Sequence, residues 1–190
     1  MSTPRYVKPT AVRGHKLVFR DATVDDAEFI LSLRTDESKN RYLSTTSSDV
    51  QQQRAWLARY AADDSQLYFI ICNLEGKPVG TVRLYDQQGD SFCWGSWIKS
   101  DEAPGGFGVE SALIIYAYAL QLGFKRAHFQ VSKGNDGVTS FHLRFGAVQV
   151  AEFDTEYHYE MSNQAIHGAL AQYRKFLPDG IKVEFAPDQV

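Results

Sequence analysis

Val109 to Leu122 constrains the fold of this chain more than any other stretch. Ala112, Leu113, Tyr116, Ala119 and Leu120 recur at helical spacing, and Ile115, Tyr118 and Leu122 carry the apolar surface nearly all the way round. A helix without a polar face has to be enclosed, so the remaining chain must supply layers around it. Gly123 ends the helix, and the turn Ala103-Pro104-Gly105-Gly106-Phe107-Gly108 introduces it. The apolar run Ala112 to Leu120 is far short of the roughly 20 residues of a bilayer crossing, so a core helix is expected and no membrane segment.

The enclosing layer is a sheet. Lys16 to Arg20 reads as a strand, and Leu67 to Cys72, Val79 to Tyr85 and Ser91 to Ile98 follow one another across short turns at Gly76 and Gly89, which makes them antiparallel neighbours. Ala127 to Val131, Val148 to Phe153 and Tyr157 to Met161 complete about seven strands. Thr23-Val24-Asp25-Asp26 has the form of a capping box ahead of a first helix carrying Ala27, Ile30 and Leu31. Ser48 is expected to cap a second helix to about Ala62, after a polar loop over Thr35 to Ser48. Asn135 is expected to cap a helix from Asp136 to Phe145, and a last helix is expected from Asn163 to Leu177. The fold class is therefore α/β in the mixed α+β sense: a central, mostly antiparallel sheet flanked by helices.

At 190 residues the chain fits one domain, and its 44% hydrophobic and 13% aromatic content excludes a disordered one. Residues 1–15 read as a lead-in, 16–161 as the domain, and 162–190 as a helix and tail packed on that domain or on a second copy in a homodimer. Ile181 to Phe185 in that tail has the character of an edge strand or of a docking segment. With 20 Lys+Arg against 23 Asp+Glu, the chain lacks the basic excess of a nucleic-acid binder. Cys72 and Cys93 are too few for a disulfide scaffold, fall two strands apart, and have no metal-ligand spacing, so neither a bridge nor a metal is expected. The first nine residues hold no apolar block of the secretory kind, and a cytoplasmic location is the expectation.

The chemistry points to the glycine-rich turn. A helix start exposes unpaired N–H groups at the positive end of its dipole, and glycines let a phosphate approach them. Of two familiar phosphate loops, one fails here and the other matches weakly. A P-loop needs Gly-Lys-Ser/Thr where this chain has Gly108-Val109-Glu110, and a dinucleotide fingerprint needs its strand to end directly at the turn, whereas this strand stops near Ile98.

The order strand Ser91–Ile98, Gly turn, helix, strand Ala127–Val131, then Asn135…His142…Gly146, resembles the GNAT superfamily of N-acetyltransferases over roughly Leu17 to Met161. Leu17-Val18-Phe19-Arg20, Arg41-Tyr42-Leu43 and Phe141-His142-x-x-Phe145-Gly146-Ala147 look most like its ribosomal-protein-alanine branch, which also includes enzymes that acetylate amino sugars for surface polysaccharides. The resemblance implies a splayed strand pair that forms an acetyl-CoA cleft, with Trp97, Ile98, Gly106, Phe107, Gly108, Val109 and Asn135 against the cofactor. It departs in lacking the Gln or Arg of the family's Gly turn, and in placing His142 where a tyrosine commonly acts as acid toward the leaving thiolate.

Direct transfer to a primary amine is implied, with backbone N–H groups over Trp94 to Ile98 stabilising the oxyanion. His128 is the first candidate for the base, and Asp86 and Glu152 are others. Arg34, Arg41, Tyr42, Arg83, Tyr85 and Trp94 are candidate acceptor-binding residues, since aromatic faces pack on sugars and arginines hold phosphates or carboxylates. By strand alternation Trp94 and Trp97 face opposite sides of the sheet. The small-molecule amine is best read as a nucleotide-linked amino sugar, with a protein N-terminus or a polyamine as alternatives. A non-catalytic CoA-binding module is the reading from another class.

Overall fold

In a computed structural model of the chain, which describes residues 2–36, 38–42 and 48–187, nine strands and five α-helices alternate. They are β1 (Ala11–Arg13), β2 (Val18–Asp21), α1 (Ala27–Arg34), α2 (Val50–Ala61), β3 (Leu67–Cys72), β4 (Pro78–Gln88), β5 (Ser91–Lys99), α3 (Phe107–Leu122), β6 (Arg126–Ser132), α4 (Asp136–Phe145), β7 (Val148–Glu152), β8 (Glu156–Met161), α5 (Asn163–Gln172) and β9 (Lys182–Glu184). One sheet takes them in the order β7-β8-β6-β5-β4-β3-β2-β1-β9. Every pairing in it is antiparallel except that of β5 with β6. The two strands beyond the expected seven lie at one edge. β1, in the segment read as lead-in, pairs with both β2 and β9, so the tail closes the sheet beside the start of the chain.

Three layers follow from side-chain alternation. Along β3, Leu67, Phe69 and Ile71 join the core cluster around α3, while Tyr68, Ile70 and Cys72 join a second cluster under α1 and α2. That is why all six residues of β3 are buried. The apolar helix α3 is enclosed as its sequence requires, with Ala112 to Tyr116 buried without a break. It starts at Phe107, two residues earlier than expected, because Gly106 takes φ 83°, a left-handed conformation that glycine adopts without a Cβ penalty.

The capping box at Thr23 forms as the sequence indicates. The second helix is capped by Asp49, not Ser48: the Asp49 side chain accepts the Gln51 N–H. Of the polar loop expected before it, residues 37 and 43–47 lie outside the described residues, Leu43 of the Arg41-Tyr42-Leu43 motif among them. The last helix ends at Gln172 and continues as a 3-10 turn, Arg174–Phe176, rather than running to Leu177. Cys72 and Cys93, on β3 and β5, are both free and buried.

Candidate active site

β5 and β6 share three rungs, Ser91↔Arg126, Phe92↔Ala127 and Cys93↔His128, and then part. On its other side β5 stays paired with β4 as far as Lys99, but not regularly. The register passes from Thr81↔Ile98 to Arg83↔Gly95, so β5 carries one extra residue there, and Ser96 takes φ 48°. This is a β-bulge, which bends and twists its strand. Thr81 holds it by donating its hydroxyl to the Ser96 carbonyl at 3.0 Å. The bulge also shifts the alternation. Trp94 and Trp97, expected on opposite faces, lie on the same face with ring centroids 5.0 Å apart.

The opening left beyond Cys93 holds a cavity of about 290 Å³. β5 contributes Trp94 to Trp97, β6 contributes Phe129 to Ser132, α4 contributes Asn135, Val138 and His142, and Lys39 and Tyr42 close it from the segment after α1. A second cavity of about 260 Å³ shares Trp97 and Val138 with the first and runs to Phe107 and Gly108 at the Gly turn. A Cβ on Gly108 would stand at ordinary contact distance, 3.8 Å from Phe141 and 3.9 Å from Trp97, so the backbone there faces the passage between those rings. The Trp97 indole N–H donates to the Ser111 hydroxyl at 3.0 Å, which in turn donates to the Gly108 carbonyl, tying β5 to the first turn of α3.

His142, which the family resemblance sets in the place of an acid tyrosine, is a buried residue of α4. It is 5% exposed, with its ring 4.0 Å from Phe129 and 5.2 Å from Trp94 by centroid. Burial in this aromatic cage pushes its pKa down to about 3, and its Nδ1 has no hydrogen-bond partner among the described residues. The ring is therefore neutral at physiological pH. Asn135, read as a helix cap, makes no capping bond with its side chain and lines the cavity instead.

The other sequence-derived residues divide by place. Gly106 opens α3, and Phe107 is buried with its amide donating to the Pro104 carbonyl at 3.2 Å. That leaves Gly108 and Val109 among the first-turn amides. Ile98 is buried under β4. Trp94 is core as well as cavity floor, 4% exposed, with its indole N–H donated to the Tyr116 hydroxyl at 3.2 Å. Tyr42 donates its hydroxyl to the Gly134 carbonyl at 2.8 Å, with Arg41 over its ring. Arg83 stacks on Tyr85 at 4.1 Å and donates to Gln66, and the Tyr85 hydroxyl covers Gly95 of the cavity wall. Arg34 ends α1 near the buried Tyr68 hydroxyl, outside the cavity lining.

The candidate bases do not meet there. His128 sits on the last rung before the opening, one ring nitrogen 2.7 Å from the Ser91 hydroxyl and the other 3.2 Å from the Asp86 carboxylate. Neither His128 nor Asp86 lines the cavity, and Glu152 is ion-paired with Lys133 at the far edge. Gln130, Ser132 and Lys39 are lining residues that the sequence reading missed. The polar members of Phe129-Gln130-Val131-Ser132 alternate with the apolar ones, which was the available signal.

A parallel strand pair that opens toward a Gly turn and the start of a buried helix defines the GNAT fold class. Residues 16–148 match the family described as acetyltransferase (GNAT) domain, and the chain belongs to that family. It is an N-acetyltransferase. Among solved structures it is similar to apo FdhC, described as a nucleotide-linked sugar GNAT, with 37% identity, TM-score 0.79, and coverage of 90% of this chain and 99% of that one. A GCN5-related N-acetyltransferase from Brucella melitensis (15% identity, TM-score 0.76, 98% of this chain and 90% of that one) shares the fold. So does a variant of the spermidine N-acetyltransferase SpeG from Vibrio cholerae (16% identity, TM-score 0.68, 80% and 96%). No curated protein matches the chain in sequence.

GNAT enzymes use acetyl-CoA as acetyl donor, and the cleft fits it, with an open passage at Gly108 and an orphaned buried nitrogen on His142. Among the described residues there is no His, Cys, Asp and Glu grouping able to hold a metal, and no helix long and apolar enough to cross a membrane.

Proposed function

We propose that this enzyme acetylates the primary amine of an amino sugar carried on a nucleotide, in the cytoplasm. The observation that carries this reading is the likeness, over nearly the whole of both chains, to the protein described as a nucleotide-linked sugar GNAT. The cavity wall supports it: among the described residues Lys39, paired with Asp101 at 2.9 Å, is its one charged side chain, and no carboxylate lines it. A polyamine would call for acidic walls, whereas a nucleotide diphosphate favours cationic ones.

Acetyl-CoA, when bound, supplies the acetyl group as a thioester, which an uncharged amine attacks while the CoA thiolate leaves. The first-turn amides of α3 at Gly108 and Val109, with the Gly106 turn before them, would hold the cofactor's phosphate oxygens. Asn135 would hold the pantetheine arm, and Trp97 and Phe107 would shape the passage. Beyond Cys93 the edge of β5 facing β6 has no strand partner among the described residues, and its N–H groups would polarise the thioester carbonyl. His142 acts as a neutral hydrogen-bond donor to the leaving sulfur; with its pKa near 3 it holds no spare proton at neutral pH. The amine's proton would pass to water, since no carboxylate among the described residues lines the cavity and burial makes His142 a weak base. Tyr42, Arg41, Tyr85 and Arg83 flank the acceptor.

Thiol release measured with acetyl-CoA against a nucleotide-linked amino sugar, spermidine and peptides with free N-termini tests the assignment. The highest turnover is expected with the amino sugar. Turnover confined to the polyamine or to the peptides would overturn it.

A further inference from the structure

We infer that Lys16 and Lys175, from opposite ends of the chain, form the cationic half of the cofactor's phosphate site, in place of the basic side chain that the Gly turn lacks. The inference rests on this chain binding acetyl-CoA as GNAT enzymes do. The turn from Ala103 to Gly108 contains no Arg, Lys or Gln. A helix start offers roughly half a positive charge. That is small against a nucleotide bearing a diphosphate and a phosphomonoester, and the Phe107 amide is already spent on Pro104.

A third cavity, of about 320 Å³, lies against Gly105 and Gly106 and is lined by His15, Lys16, Glu110, Lys175 and Phe176. Its walls are built by constrained contacts. The Glu110 carboxylate accepts N–H bonds from His15, Lys16 and Leu17 at 2.8–3.0 Å, which fixes the β1–β2 turn beside the first turn of α3. Gly14 lies so close that a Cβ there would be 2.6 Å from Ile114 and 2.7 Å from Glu110. On the other side the 3-10 turn after α5 sets Phe176 on Gly106, where an added Cβ would be 3.1 Å from the ring, and Lys175 stands 5.2 Å from that ring.

The one carboxylate in this wall is held by backbone N–H groups, and among the described residues neither lysine is in an ion pair. Their charges are therefore available to an anion beside the Gly turn. Lys175 lies outside residues 16–148, the stretch that matches the family.

Calorimetric titration of the whole chain with CoA and with 3′-dephospho-CoA tests the inference, using Lys16→Ala, Lys175→Ala and the double variant. Each single change should weaken CoA binding about 5-fold, the double more, with a smaller salt dependence and an unchanged melting temperature. Lys175→Arg should retain binding. A loss seen only with CoA assigns the lysines to the 3′-phosphate, and a loss seen with both ligands assigns them to the diphosphate; either supports the inference. A double variant that binds CoA as tightly as the unmodified chain overturns it. Failure of the unmodified chain to bind CoA would instead overturn the cofactor reading on which it rests.

Discussion

At its first three residues β5 is held to β6 by parallel backbone rungs, and a hydrogen-bonded line from Ser91 through His128 to Asp86 crosses the same place. Four residues on, the same two strands share no rung, and the gap between them is walled by Trp94, Trp97, Phe129 and His142. The closed end is stabilised by directional bonds between groups that satisfy one another. The open end is stabilised by aromatic packing, which leaves its backbone groups unspent and so available to a thioester. A cleft that must bind amide and carbonyl groups is best held apart by side chains that compete for neither.

The sharpest contrast between the two ends is energetic. Trp94→Ala removes a 4%-exposed indole that touches Tyr116, Phe129 and His142, and should cost about 3–5 kcal/mol by denaturant titration. Ser91→Ala at the closed end removes one hydrogen bond to His128 and should cost about 1 kcal/mol. Equal losses would mean that the two ends are not held by different forces.

His142 sharpens the comparison next, because it belongs to the cage and to the chemistry at once. His142→Phe keeps the aromatic volume, and it should lower kcat about 10- to 100-fold while changing the Kd for CoA little. Unchanged turnover would remove the ring from the reaction. Stability gives a second readout. The folded ring titrates near 3 and the unfolded one near its ordinary 6.5, so between those values the unfolded chain binds the extra proton. Stability is therefore full above about pH 6.5 and falls, as pH drops toward 3, with a slope approaching 1.4 kcal/mol per pH unit. The Phe variant should lose that slope.

Much of this was legible in the residues. An all-apolar helix behind a Gly turn, and three strands joined by short turns, have local periodicities that fix layers and neighbours. What was hidden depends on contacts distant in sequence. Nothing in the sequence near His142 announces that Trp94 and Phe129 enclose it. Asn135 sits at the cap position but makes no capping bond with its side chain, and it lines the cavity. β9 is three residues long and gains its identity from β1, at the other end of the chain. The basic side chain absent from the Gly turn was likewise visible only as a gap, since the lysines beside it arrive from other segments.

The smallest expected effect bears on how the mouth is held open. Ser96 spends backbone energy to sit at φ 48°, in a region costing a residue with a Cβ about 1–2 kcal/mol. Ser96→Gly removes that cost, although it adds freedom to the unfolded chain, so the net gain should stay below about 1 kcal/mol. Ser96→Val does the reverse, since a branched Cβ tolerates positive φ least, and a strand with the extra residue expelled returns to plain alternation. Trp97 would then turn to the face opposite Trp94, and the coupling of two indoles 5.0 Å apart, read as an exciton couplet in circular dichroism, should weaken in Val and persist in Gly. A couplet unchanged in both variants would show that the bulge does not set the phase of the strand, and that the tryptophans are held together by α4 alone.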